Sequence, residues 1–145
     1  MAQRHVPPTA RPLITGLSIL ASALVALAQL VPALGTCASA DGSWLSNSLI
    51  AFSGWAAVTC GVFAWYANPL FAICAISLMR GREPSSWLWA TQLALALSAL
   101  LPMKLPVGEE LEPMLVCNHG PGFWLWLAGQ LTLVISAVAV RFTRT

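Results

Sequence analysis

WLSNSLIAFSGWAAVTCGVFAWYANPLFAICAISLM, residues 44–79, holds no charged side chain over 36 positions and then runs directly into Arg80-Gly81-Arg82. As one helix it would be about 54 Å long, too long for one passage through a hydrocarbon layer of about 30 Å and too short for two with a turn between them. The reading is a single crossing over about 56–79. Ahead of it, Trp44 to Trp55, spotted with Ser46, Asn47, Ser48 and Ser53, is expected to form a short helix along the outer interface.

Three further uncharged runs flank this one. Leu13 to Leu34 would span about 33 Å as a helix and forms span one at about 13–34. Span three runs over about 87–103 and is opened by Glu83-Pro84-Ser85-Ser86, residue types that start helices. Span four covers about 123–140 and follows the turn Gly120-Pro121-Gly122. The whole chain of 145 residues is 58% hydrophobic and 8% charged with a mean hydropathy of +0.77. A water-soluble core cannot absorb so much apolar surface when soluble domains average about 25% charged residues. The predicted fold is all-α: one transmembrane domain, an integral membrane four-helix bundle whose first partner is the lipid bilayer. No nucleic-acid partner is indicated.

Basic residues near span ends stay on the cytoplasmic side. With four spans, Arg4, Arg11, Arg80, Arg82, Arg141 and Arg144 share one side and Lys104 alone falls on the other, so both termini are expected inside. A fifth span made by a hairpin at Asn68-Pro69 would carry Arg80 and Arg82 outside. Tryptophan favours the interface, where its ring is half buried and its N–H is wet. Trp44 and Trp55, Trp87 and Trp89, and Trp124 and Trp126 lie at span entries, whereas Trp65 and Tyr66 lie deep and are expected to pack between helices. Arg4, Arg11 and Ala38-Ser39-Ala40 frame span one like a secretory signal, but an apolar run of 22 residues exceeds the usual signal core of about 7 to 15. Retention as a signal anchor is the reading taken. A lipoprotein cleavage at Cys37 is disfavoured by Thr36, where a small residue such as Gly or Ala is expected.

Cys37 and Cys117 both fall in outer loops, where an oxidising compartment would let them pair. A structural disulfide is favoured over a redox-active pair, because the C-x-x-C spacing of thiol oxidoreductases is absent. Cys60 and Cys74 lie nearly four turns apart on one helix and read as small apolar fillers. Within span two, Pro69 removes a backbone donor and frees the carbonyl of Trp65, so a kink is expected at Asn68-Pro69 near the midplane. Asn68, Gln92 and Gln130 fall at similar depth and are expected to form a polar cluster. Buried amides more often join helices than bind cargo, and no acidic or basic side chain lies within any span to carry protons or ions. Small residues at four-residue spacing (Ser18, Ser22, Ala26; Ser53, Ala57, Gly61; Ala90, Ala94, Ser98; Ala128, Thr132, Ser136) would let helices approach closely.

No catalytic set, cofactor or metal is indicated. His5 and His119 lie outside the spans, and Glu109, Glu110, Glu112 and His119 lack metal-ligand spacing and read as a solvated acidic loop. No phosphate-binding glycine loop or G-x-S-x-G is present. Phe63-Ala64-Trp65-Tyr66-Ala67-Asn68-Pro69-Leu70, the following Arg80-Gly81-Arg82, and Gly120-Pro121-Gly122-Phe123-Trp124-Leu125-Trp126-Leu127-Ala128 together resemble a group of small bacterial four-span inner-membrane proteins. The resemblance covers spans two to four, implies the same topology and brings no activity with it. The expected role is non-enzymatic contact with another membrane component in the bacterial cytoplasmic membrane, or with further copies of the chain. The alternatives are an oligomeric small channel or carrier built around the Asn68-Pro69 break, and an immunity or antitoxin partner.

Overall fold

The structure, a computed structural model, describes residues 5–37, 44–46, 61–106 and 113–142. Among these residues it is mostly helical, with four α-helices: α1 Arg11–Ala28, α2 Ala67–Met79, α3 Ser86–Ser98 and α4 Pro121–Phe142. The all-α expectation is corrected by a sheet of four short strands, β1 Pro32–Thr36, β2 Trp44–Ser46, β3 Lys104–Pro106 and β4 Pro113–His119. The strands are antiparallel in the order β2-β1-β4-β3. Gly35 pairs with Trp44 on one side and Asn118 on the other, and Leu105 pairs with Met114. The sheet therefore joins the two loops at one end of the bundle.

Prolines set several of the boundaries. Span one was expected to reach Leu34, but α1 stops at Ala28. The ring of Pro32 would clash with the Ala28 carbonyl four residues earlier, and Val31 before it is pushed out of the helical region, so the chain leaves as β1. Span two was expected from about residue 56 with a kink at Asn68-Pro69. Residues 56–60 lie outside the described residues, Gly61 has φ +74°, and a 3-10 turn at Ala64–Tyr66 leads into α2. Pro69 is the third residue of α2, where its missing N–H would have had no helical partner, so it starts a helix rather than kinking one. The interfacial helix expected over 44–55 is replaced at residues 44–46 by β2, and the rest of that stretch lies outside the described residues.

Among the described residues two helices, α1 and α4, are long and apolar enough to cross a membrane, and Ala64–Met79, the 3-10 turn with α2, is a shorter apolar stretch. The 13 residues of α3 rise only about 20 Å. Among the described residues, four full-length spans are thus not formed.

α1 and α4 pack antiparallel along their lengths. A Cβ on Gly129 would lie 2.9 Å from the Ala21 carbonyl oxygen, and one on Gly122 would lie 3.0 Å from that of Ala28. These partners repeat every seven residues, so one helical stripe carries the close approach. The four-residue triplets do not: Ala26 and Ala128 face outward, Ser53 and Ala57 lie outside the described residues, and only Ser18 and Ser136 are fully buried. Their hydroxyls donate to the carbonyls of Ile14 and Thr132 at 2.8 Å, which satisfies them inside the helix.

Candidate functional site

The apolar interior is divided in two. One cluster, next to the sheet, includes Ala28, Leu34, Ala67, Ala96, Phe123 and Leu127. The other, at the opposite end, includes Ile14, Phe71, Cys74, Leu78, Leu133 and Val140. Between Ala67 and Phe71 on α2 comes Asn68, and between Leu127 and Leu133 on α4 comes Gln130. Gln92 occupies the corresponding level of α3, so the three amides form a polar layer between the clusters.

The structure brings all three together. Gln92 Nε2 donates to Gln130 Oε1 at 2.8 Å, and Gln130 Nε2 lies 3.4 Å from Asn68 Oδ1. The same Asn68 oxygen accepts from Trp126 Nε1 at 2.7 Å. An indole N–H can only donate, so it fixes which end of the Asn68 amide faces α4 and thereby the direction of the whole chain. The chain ends on Gln92 Oε1, which is buried without a hydrogen-bond partner. Gln92 and Gln130 are both fully buried, so the layer is closed off from the surface.

Trp126 is the member that sequence reasoning missed. It was assigned to the outer interface, yet it is 8% exposed and faces inward. Its spacing of four from Gln130 puts the two on one helix face, which is the signal that could have found it. Trp65 and Tyr66 are likewise corrected: they meet edge to face at 5.3 Å, but Tyr66 is exposed and Trp65 half-buried rather than sealed between helices.

At the sheet end, a disulfide joins Cys37 to Cys117 across 80 residues, with Cα atoms 5.3 Å apart. It ties the residue after β1 to β4, where Cys37 N–H also donates to the Leu115 carbonyl at 3.0 Å. Cys74 is a buried free thiol within the second cluster. Cys60, Asp41, Glu109, Glu110 and Glu112 lie outside the described residues. His119 has a ring nitrogen 3.3 Å from the Ala99 carbonyl at the end of α3 and packs on Phe123 with centroids 4.2 Å apart. Among the described residues no group of three or more His, Cys, Asp or Glu side chains is placed to hold a metal.

The opposite end carries the arginines. Arg141 Nε lies 3.3 Å from Glu83 Oε1, its Nη2 donates to Ser86 Oγ at 2.7 Å, and its guanidinium lies 5.8 Å from the Trp89 ring centre. The segment before α1 pairs with the loop between α2 and α3 through the Val6 N–H and the Gly81 carbonyl at 2.9 Å.

Comparison of the chain with protein-family models, curated proteins and solved structures gave no match.

Proposed function

We propose that this chain is a multi-pass protein of the bacterial cytoplasmic membrane, with both termini inside and the disulfide-tied sheet outside. It acts without catalysis, through that sheet or a helix face, on another membrane component. The observation that carries the reading is an inverted distribution of polarity. The fully buried side chains include Gln92, Gln130, Ser18 and Ser136, while Leu13, Ile19, Leu27, Ile73, Trp87 and Ile135 point outward from the four helices. Water would penalise such a surface, whereas hydrocarbon solvates it and leaves the amides nowhere to go but inward.

The charges support the orientation, since Arg11, Arg80, Arg82 and Arg141 gather at one end and Lys104 lies on β3 at the other. The short α2 is lengthened toward the sheet end by the 3-10 turn at Ala64–Tyr66, packed within the protein where non-helical backbone is tolerated. The amides bond to one another across three helices, which favours helix joining over a transport site. Asn68→Leu is then expected to lower stability by about 1 to 2 kcal/mol, because Asn68 Oδ1 accepts from both Trp126 and Gln130. A fully folded Asn68→Leu protein that had lost a solute flux would instead support a carrier.

Maleimide labelling of intact cells tests the topology. Cys37 and Cys117 are expected to react only after reduction, with the shift lost one site at a time in Cys37→Ala and Cys117→Ala. If Cys117 reacts without reduction and a shorter chain lacking Cys37 appears, the first helix is a cleaved signal and this topology is wrong.

A further inference from the structure

Among the described residues Glu83 is the one acidic side chain, and it faces Arg141. Arg11, Arg80 and Arg82, at the same end of the bundle, make no ion pair or side-chain hydrogen bond among the described residues. The guanidinium of Arg11 rests against Gly81, where a Cβ would meet its Nε at 3.3 Å and its Cζ at 3.4 Å. Gly81, at φ +70°, is flanked by Arg80 and Arg82, so its missing side chain seats a third cation against a loop that already carries two. The loop is held in place by the Val6 N–H on the Gly81 carbonyl and the Arg82 N–H on the Ser77 carbonyl, each at 2.9 Å.

Arg80 follows the C-terminus of α2, where the helix dipole favours a cation, but Arg11 opens α1, where it does not. No acidic residue occupies the first turn of α1, so its positive end adds to this region, while Glu83 stands just before α3. A triply oxygenated anion answers all of these charges, and planar guanidinium groups match it bidentately. The neighbouring surface indicates where that anion comes from. Leu13, two residues from Arg11, and Met79, next to Arg80, are exposed, and Trp87 beside the loop is 66% exposed. Exposed apolar side chains at the same end of the bundle suit a phosphate that carries acyl chains.

We propose that Arg11, Arg80 and Arg82 form a binding site for the phosphate of an anionic phospholipid headgroup at the cytoplasmic end of the bundle. The site rests on the membrane reading above, and the acyl chains would lie along the exposed apolar side chains at this end, Met79 among them. Near an anionic membrane surface each arginine is expected to contribute about fivefold in lipid affinity, roughly a hundredfold for the three together.

The test is native mass spectrometry of the full chain in mild detergent, titrated with palmitoyl-oleoyl phosphatidylglycerol, the matching phosphatidylcholine, or inorganic phosphate. Phosphatidylglycerol is expected to be retained at least tenfold better than phosphatidylcholine. Arg11→Gln/Arg80→Gln/Arg82→Gln should reduce it to the phosphatidylcholine level with the Cys37–Cys117 bond intact, and Lys104→Gln should change nothing. The three Arg→Lys replacements should keep part of the preference, because charge remains while the fork is lost. Equal retention of the two lipids, displacement of phosphatidylglycerol by millimolar inorganic phosphate, or an undiminished preference in the triple Gln variant would each overturn the site. Failure of the membrane reading shows separately, as extraction of the wild-type chain from cell membranes by alkaline carbonate.

Discussion

Gly122→Ala is expected to destabilise the chain by about 3 kcal/mol or more, the upper end of what overpacking costs, because the added methyl has nowhere to go. Its Cβ would lie 2.6 Å from the carbonyl oxygen of Val31, 2.9 Å from that of Pro32 and 3.0 Å from that of Ala28. All three are backbone atoms at the point where α1 ends and β1 begins, so no rotamer change relieves the clash. Either α4 must lift off α1 or the β1 strand must move, and both pull on the disulfide-tied sheet. Gly129→Ala should cost less, about 1 to 3 kcal/mol, because its shortest contact, 2.7 Å, is to a side-chain methyl, Val25 Cγ2, rather than to backbone. The Ala21 carbonyl at 2.9 Å still keeps it from being free. Gly16→Ala is the internal control: nothing lies within 4 Å, and helix propensity favours the alanine by up to about 1 kcal/mol. Thermal unfolding of the purified full chain in detergent, followed by circular dichroism, measures the order. Equal midpoints for Gly122→Ala and Gly16→Ala would show that α1 and α4 are not in contact there.

Gln130→Leu is expected to cost about 1 to 3 kcal/mol, the desolvation penalty of buried groups left unpaired. Gln130 is the centre of the amide layer, accepting from Gln92 and donating toward Asn68, so its loss leaves the fully buried Gln92 with neither end satisfied. Gln92→Leu behaves differently. It removes an acceptor that was already unpartnered while orphaning only Gln130 Oε1, and the two effects nearly cancel. The double variant Gln92→Leu/Gln130→Leu should recover most of the Gln130→Leu loss, because the apolar clusters above and below the layer then meet through leucine. A double-mutant cycle reads the coupling directly, and additive costs within about 0.5 kcal/mol would falsify the hydrogen-bonded layer. Because amides in a membrane interior find alternative partners when the bundle opens, the measured coupling should fall toward the low end of this range.

Much of the fold was written locally. Uncharged runs, the arginines at their ends and the turn at Gly120-Pro121-Gly122 can each be read from a short window, since the partition of a segment between water and hydrocarbon depends on its own side chains. Two of the misreadings were local as well. Pro32 and Pro69 mark a helix end and a helix start by rules that hold within four residues, and treating Pro69 as an internal kink gave too much weight to the length of the apolar run.

The remainder depended on contacts between distant residues. Nothing in Pro32–Thr36 announces a strand, because its partners at Trp44–Ser46 and Pro113–His119 come from two separate loops and only their pairing satisfies its backbone. Small residues were abundant enough that spacing alone could not choose among them. The stripe of Ala21 and Ala28 against Gly129 and Gly122 was selected by which faces meet across 94 residues or more. By itself the sequence determined the apolar segments, the two ends on which charge could lie and the amides available to a dry interior. Only the tertiary structure decided which of those amides touch, that Trp126 orients them, and that Arg11 closes on Gly81, because each of these depends on two elements brought together after the chain has folded.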